Sequence, residues 1–335
     1  MKRILFVANY RANAGGISTQ VDVLNQLLRQ EGYATQIHSL SGSAWIRMKA
    51  CFRLLKVGRR YDVFHIHACS YNGFFPVIIG VKIGRLLGKR IVLTYHGGGA
   101  NVFFKKRTRL VKKYLSMTDT NIVLSDFLDE TFKQYDIPCV VIPNIIEVRD
   151  NVYRERNAIL PHFISIRSFT ATYNILCTIK AFQKVKNKYC DATLTLLGDG
   201  PLRKELEEYV AANRMEDVRF LGRVPNDAIY QYLNDADIML SSPLADNMPV
   251  SLLEGFNAGL LVISSSVGGV PYMIKDGFNG LLFPSKNPGI MADKMIEAVE
   301  KQEKSKEMIR NAHDALKAYS WECNREKYFN IYYCS

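Results

Sequence analysis

Short apolar, β-rich runs recur along this chain, each followed by a longer stretch with helical spacing. The first series lies at residues 4–8, 34–39, 63–67, 90–94, 120–124 and 140–142. A charged, irregular stretch, 147–157, interrupts it and reads as a linker. A second series follows at 163–167, 192–197, 218–221, 238–241, 261–264 and 280–283. Strands alternating with helices predict parallel sheets with helices on their faces. Two such series predict two α/β, Rossmann-like domains: 1–150 and 158–317. The space between two such domains is the default place for a ligand. The tail from Ser320-Trp321-Glu322 to Tyr332-Tyr333 reads as a terminal helix, 318–335.

At 335 residues the chain is long enough for two cores. No apolar run approaches the roughly 18 residues of a membrane-spanning helix. The start, Met1-Lys2-Arg3 and then an apolar run, has the outline of a leader peptide. That run is only five residues long, and Gly15-Gly16 follow where a helix would begin. A first buried strand is the better reading. The seven cysteines (51, 69, 139, 177, 190, 323 and 334) show no paired spacing. They suggest neither a disulfide framework nor a zinc site, and fit thiols in a reducing cytoplasm.

Charge divides the chain. Residues 1–150 hold 22 of its 44 Lys and Arg but only 10 of its 32 Asp and Glu, so the whole excess of +12 lies there. Two segments concentrate it. One begins Trp45-Ile46-Arg47-Met48-Lys49 and runs to Arg59-Arg60. The other is Phe103-Phe104-Lys105-Lys106-Arg107 continuing to Leu115. Both mix basic and large apolar residues at helical spacing, as does a helix lying on an anionic membrane surface. An ordinary solvated helix with its apolar side on the core has the same pattern. No nucleic-acid motif accompanies the charge.

Candidate chemistry concentrates in Asp246-Asn247-Met248-Pro249-Val250-Ser251-Leu252-Leu253-Glu254. The preceding run, 236–243, reads as a buried strand ending in a turn. That puts Asp246 in a loop at the carboxyl end of a strand and Glu254 two turns into the next helix. In an open parallel sheet ligands bind in that crevice, and a helix N-terminus there suits a phosphate. The alternative is a plain helix start, with Asp246 as its cap. Elsewhere, Asn13-Ala14-Gly15-Gly16-Ile17-Ser18 follows the first strand and matches neither a dinucleotide fingerprint nor a P-loop. Tyr95-His96-Gly97-Gly98-Gly99 follows the fourth strand. His65 and His67 alternate with apolar residues, as core histidines do. Asp235-Ala236-Asp237 mimics a metal motif but closes a helix and opens a strand, so no metal is expected.

With Asp-x7-Glu for Glu-x7-Glu, segment 246–254 resembles the signature of the retaining, GT-B-fold glycosyltransferases of family 4. The resemblance is strong over 190–285 and looser before residue 90. It implies two Rossmann-like domains, with the terminal helix crossing back to the first. It implies that Glu254 holds ribose hydroxyls and Asp246 sugar hydroxyls. The backbone of Met248, Pro249, Val250 and Ser251 would meet phosphate or sugar. His96 would contact the donor sugar near its reacting carbon. Gly15 and Gly16 would form the first phosphate loop, and Arg167 would grip the diphosphate. Where the family has a second cation, a Lys, this chain has Tyr173. Gly198, Gly200, Arg223 and Val224 would line the nucleotide. The catalytic set implied is therefore His96, Asp246 and Arg167. The expected function is transfer of a sugar from a nucleoside diphosphate sugar, UDP favoured, to a glycan or polyprenyl-linked acceptor. The setting would be the cytoplasmic membrane face, in surface polysaccharide synthesis, with no cofactor. The missing Lys leaves two rivals open, a non-catalytic binding protein and a sugar-nucleotide epimerase.

Overall fold

The computed structural model describes residues 1–12, 16–148, 150–225 and 228–333. The chain divides into two compact units. Unit 1 is Met1–Ile146 with Tyr319–Ser335, and unit 2 is Glu147–Ala318.

Unit 1 opens with β1 (Ile4–Ala8), α1 (Ile17–Gln30), β2 (Thr35–Ser39), α2 (Ala44–Gly58), β3 (Val63–Ala68) and α3 (Phe75–Leu86). It continues with β4 (Arg90–Tyr95), α4 (Ala100–Lys106), α5 (Thr108–Leu115), β5 (Thr120–Val123), α6 (Asp126–Lys133) and β6 (Val140–Val141). The strands form one parallel sheet, ordered β2-β1-β3-β4-β5-β6. Its inner strands are buried on both faces, which is why they read as unbroken apolar runs. On one face Leu5, Val7, Phe64 and Leu93 meet α2 to α6.

Unit 2 begins with β7 (His162–Ser165), α7 (Ile175–Lys186), β8 (Thr193–Leu197), α8 (Arg203–Ala212), β9 (Val218–Gly222) and α9 (Ile229–Asn234). Then come β10 (Ile238–Ser241), α10 (Val250–Asn257), β11 (Leu261–Ser265), α11 (Val270–Met273), β12 (Leu281–Phe283), α12 (Pro288–Glu300) and α13 (Gln302–Ala315). This parallel sheet is ordered β12-β11-β10-β7-β8-β9. The strand order reverses between β7 and β10, and in such sheets that switch point is where ligands sit.

A last helix, α14 (Trp321–Tyr333), belongs to unit 1. Its Trp321, Tyr328 and Tyr332 join α1 in covering Ile4, Phe6 and Val63 on the second face of the first sheet.

One expectation needs correction. The stretch 147–157 is not a free linker. It belongs to unit 2, and Arg156 reaches from it into the buried interior, where its Nε donates to Asp237 at 3.0 Å. Of the two readings of the basic segment 103–115, packing on the core is the one seen, in two helices rather than one. The segment breaks at Arg107 (φ −133°), and Phe103, Phe104, Val111, Tyr114 and Leu115 all turn into the core. The other segment behaves differently. On α2, Trp45, Ile46, Met48 and Phe52 stand exposed.

Candidate active site at the carboxyl edge of the second sheet

The loops after β7 and β10 flank the switch point, and each supplies one member of an ion pair. Arg167, 8% exposed, follows β7; Asp246, in the loop after β10, accepts a hydrogen bond from its Nη2. Arg167 Nη1 donates to Ser251 Oγ at 2.6 Å, from the first turn of α10. The guanidinium lies over the ring of Tyr173, 4.1 Å from its centre, a cation–π arrangement. Its Nε is buried and has no hydrogen-bond partner among the described residues. Asp246 does not cap α10, whose cap position is Pro249. Instead Asp246 also accepts from the Asn247 N–H at 2.9 Å.

Glu254 lies in the second turn of α10. Part of its surface is open to solvent, but protein crowds the carboxyl and pushes its pKa up to about 7, with the nearby Arg167 charge acting the other way. The arrangement is a guanidinium with an unused donor beside a carboxyl of raised pKa and the N–H groups of a helix start. Pro249 has no N–H, so only Met248, Val250 and Ser251 supply donors. Such a set can hold an anion and hydroxyl groups together.

Hydrogen bonds fix these loops to one another. Leu244 N–H donates to Thr172 O at 2.7 Å, Gly269 N–H to Asp246 O at 3.2 Å, and Phe169 N–H to Asp199 O at 3.0 Å. The loop after β8 presses on the backbone of the Arg167 loop. A Cβ at Gly198 (φ +151°) would strike Arg167 O, and one at Gly200 would strike Phe169 O. Glycine is needed at both positions for that close approach. Gly198 N–H also donates to Gly222 O at 2.8 Å, tying in the β9 loop. Beyond it, Arg223 is exposed and Val224 half-buried.

In unit 1, Gly15 lies outside the described residues. Gly16 forms the start of α1 at φ 56°, with open space where a Cβ would stand. His96 follows β4, and its Nε2 is 2.9 Å from His67 Nδ1. His65 is satisfied on both sides, by Tyr332 OH at 2.8 Å and Thr94 Oγ1 at 2.7 Å. Burial lowers the pKa of all three: His65 and His96 to about 3, and His67 well below its usual value. They are neutral at physiological pH.

The sequence reading missed three relationships: the Arg167–Asp246 pair, the Tyr173 plate and the His67–His96 contact. One signal was available for the last. His67 pairs with Thr94 in the β3–β4 register, so two residues on from Thr94, on the same side, comes His96. Asp237 is a structural acid bound by Arg154 and Arg156. Among the described residues, no group of three or more His, Cys, Asp or Glu is gathered as a metal site requires.

Two doubly wound parallel sheets of this kind define a GT-B fold. Solved structures agree. HepE of Anabaena, in complex with UDP and glucose, matches with a TM-score of 0.79 at 16% identity, over 99% of both chains. Sucrose-phosphate synthase of Thermosynechococcus elongatus matches with a TM-score of 0.80 at 14% identity, over 99% of this chain and 98% of that one. These likenesses carry the fold alone. Family comes from sequence. Residues 154–315 match "Glycosyl transferases group 1" and residues 21–150 match "Glycosyltransferase Family 4". A phosphatidylinositol N-acetylglucosaminyltransferase component of Arabidopsis thaliana is 30% identical, over 96% of this chain and 79% of its own. The N-acetyl-alpha-D-glucosaminyl L-malate synthase of Bacillus anthracis is 25% identical, over 81% of this chain and 74% of its own. The chain belongs to the group 1, family 4 glycosyltransferases of GT-B fold.

Proposed function

We propose that this protein is a hexosyltransferase that moves a sugar, with retention of configuration, from a UDP-sugar to a glycan or polyprenyl-linked acceptor. The observation that carries the reading is Arg167: nearly buried, at the switch point, with an unpartnered Nε beside the start of α10 and the Glu254 carboxyl. A diphosphate would take over the donors that Asp246 and Ser251 now hold. Arg167 and the N–H groups of α10 would stabilise the leaving charge, so the step draws on no metal. Glu254 would accept hydrogen bonds from the ribose hydroxyls, Asp246 would meet the sugar ring, and His96 would meet the transferred sugar. The acceptor hydroxyl would enter on the face the diphosphate leaves. HepE, solved with UDP and glucose, supports the choice of base.

The setting we propose is the cytoplasmic face of the plasma membrane, in surface polysaccharide or lipopolysaccharide synthesis. Exposed Trp45, Ile46, Met48 and Phe52 stand on α2 among Arg47, Lys49, Arg53 and Lys56, a mixture suited to an anionic bilayer surface. A groove of about 590 Å³ beside them, lined by Arg47, Met48, Phe52, Phe75 and Ile79, has room for part of a lipid tail. No helix among the described residues is long and apolar enough to cross a membrane. Flotation with anionic vesicles should succeed for the native protein and fail for Trp45→Glu/Phe52→Glu; equal flotation of both would remove the membrane from the reading.

The donor site is tested by thermal unfolding with UDP, GDP, ADP, CMP and NAD. A ligand at about 100 times its Kd adds roughly 2.7 kcal/mol, a shift of several degrees. UDP alone should shift the native protein and leave Glu254→Ala unmoved. No shift with any nucleotide would overturn the reading.

A further inference from the structure

The hydrogen bond between His67 Nδ1 and His96 Nε2, at 2.9 Å, holds a single proton, because both rings are neutral. Which ring owns it follows from the far side of His67. His67 Nε2 is buried and has no hydrogen-bond partner among the described residues, and the His67 ring packs against those of Phe6 (centroids 5.7 Å apart) and His65 (4.4 Å). A buried N–H with nothing to accept it is rarer in proteins than a buried lone pair with no donor. The proton of His67 therefore sits on Nδ1 and points at His96. His96 Nε2 is then an acceptor already in use, and the proton of His96 is on Nδ1. That nitrogen, unlike His67 Nε2, is not among the buried unpartnered atoms, and His96 is half-buried, so its N–H is open to water or to a ligand.

We propose that His67 is a positioning residue that locks His96 in the Nδ1–H tautomer, so that His96 offers a hydrogen-bond donor, and never a base, to the group that binds beside β4. The inference rests on the function proposed above and narrows it. The partner of His96 must be an oxygen with a free lone pair, such as a hydroxyl or ring oxygen of the transferred sugar. Deprotonation of an acceptor hydroxyl falls outside what this ring can do, since its one basic nitrogen is occupied. The structure fixes the tautomer through a second ring, as carboxylates and carbonyls do for functional histidines elsewhere.

The test begins without donor or acceptor. Protein labelled with [15N]histidine gives a long-range 1H–15N spectrum in which each neutral ring reveals which nitrogen is protonated; the His96 signals are assigned by their loss in His96→Gln. His96 should be protonated on Nδ1 and bare on Nε2. A proton on Nε2 would overturn the proposal, whatever the protein's activity. The second arm is kinetic. His67→Leu removes the donor and should lower kcat roughly tenfold, the worth of about one neutral hydrogen bond, with donor KM nearly unchanged. His67→Asn keeps an N–H near the same place and should recover most of the loss. His67→Leu at the native kcat would also overturn the proposal. A native protein with no transferase activity would sink the proposed function, while the spectrum would still decide the tautomer.

Discussion

Two arginine–aspartate pairs bracket strand β10, and they differ in how fully their bonds are used. At its amino end Asp237, 1% exposed, takes Arg154 Nη2 at 2.7 Å and Arg156 Nε at 3.0 Å on one oxygen. Arg156 spends its remaining donors on carbonyls: Arg154 O at 2.8 Å, Ala258 O at 2.9 Å, Ala236 O at 2.7 Å and Gly259 O. Burial draws its pKa down to about 10, yet every nitrogen is bonded. At the carboxyl end Arg167 holds Asp246 and Ser251, rests on Tyr173, and leaves Nε unbonded. The same two residue types make a staple in which every Arg156 nitrogen is bonded and only Asp237 Oδ2 lacks a hydrogen-bond partner among the described residues, and a candidate binding site in which the arginine itself keeps a donor open. A half-satisfied buried polar group is costly, and that cost is tolerated where a ligand will complete it.

The sharpest way to break the comparison is to remove each arginine. Arg156→Met leaves Asp237 buried with only Arg154 and His162 near it and strips several carbonyls of partners. Removing one partner of a buried pair costs about 3–5 kcal/mol, so thermal unfolding should drop by many degrees. Arg167→Ala also breaks a largely buried pair and should lower the unfolding temperature, but by less than Arg156→Met because it strips no backbone carbonyls, while kcat/KM falls by roughly 10²–10³, the usual loss of one charge-stabilising donor. If the two variants exchanged these phenotypes, the assignment of staple and site would be wrong.

Acidity gives a subtler test. Glu254 is lifted to about 7 in the folded chain, above its ordinary value. The folded state thus holds this proton more tightly than the unfolded one. Between pH 5 and 7 the Glu254 contribution to stability falls as pH rises. Glu254→Gln should flatten that slope in the ligand-free protein. Ribose hydroxyls donating to the carboxylate favour its ionised form, so UDP affinity should weaken as pH falls from 8 to 6 in the native protein. In Glu254→Gln only the shallower dependence left by protonation of the UDP terminal phosphate, whose second pKa is about 6, should remain, as read by calorimetry.

Tyr173 offers the smallest effect and the finest distinction. Tyr173→Leu removes the plate under Arg167 and should weaken UDP binding by roughly 1 kcal/mol, less than tenfold. Tyr173→Phe keeps the ring and should bind like the native protein. A loss in the Phe variant equal to that in Leu would assign the hydroxyl, rather than the ring, to the phosphate.

The sequence shows what is local and hides what is not. Strand positions, the loop site of Asp246 and the helical site of Glu254 follow from spacing within a few residues. The partner of Asp246 is 79 positions away, and no local pattern names it. The break at Arg107 was invisible because the apolar and basic residues on both sides keep helical spacing; only the packing of Phe103 and Phe104 shows which face turns inward. Tyr173, read as a missing cation, became the plate for the remaining one. His67 looked like a core histidine because its neighbours are apolar, and half of it is one: Nε2 faces the interior while Nδ1 reaches His96.

The placement of α14 has a consequence for how the protein is made. Trp321, Tyr328 and Tyr332 cover the Phe6 face of the first sheet, and they leave the ribosome after the whole of unit 2. Unit 2 holds its own core within one continuous stretch and can close as soon as it emerges. The half synthesised first is therefore the half completed last. Throughout elongation that side of β1 has α1 but not α14 over it, a partly uncovered apolar face of the kind chaperones meet on nascent chains.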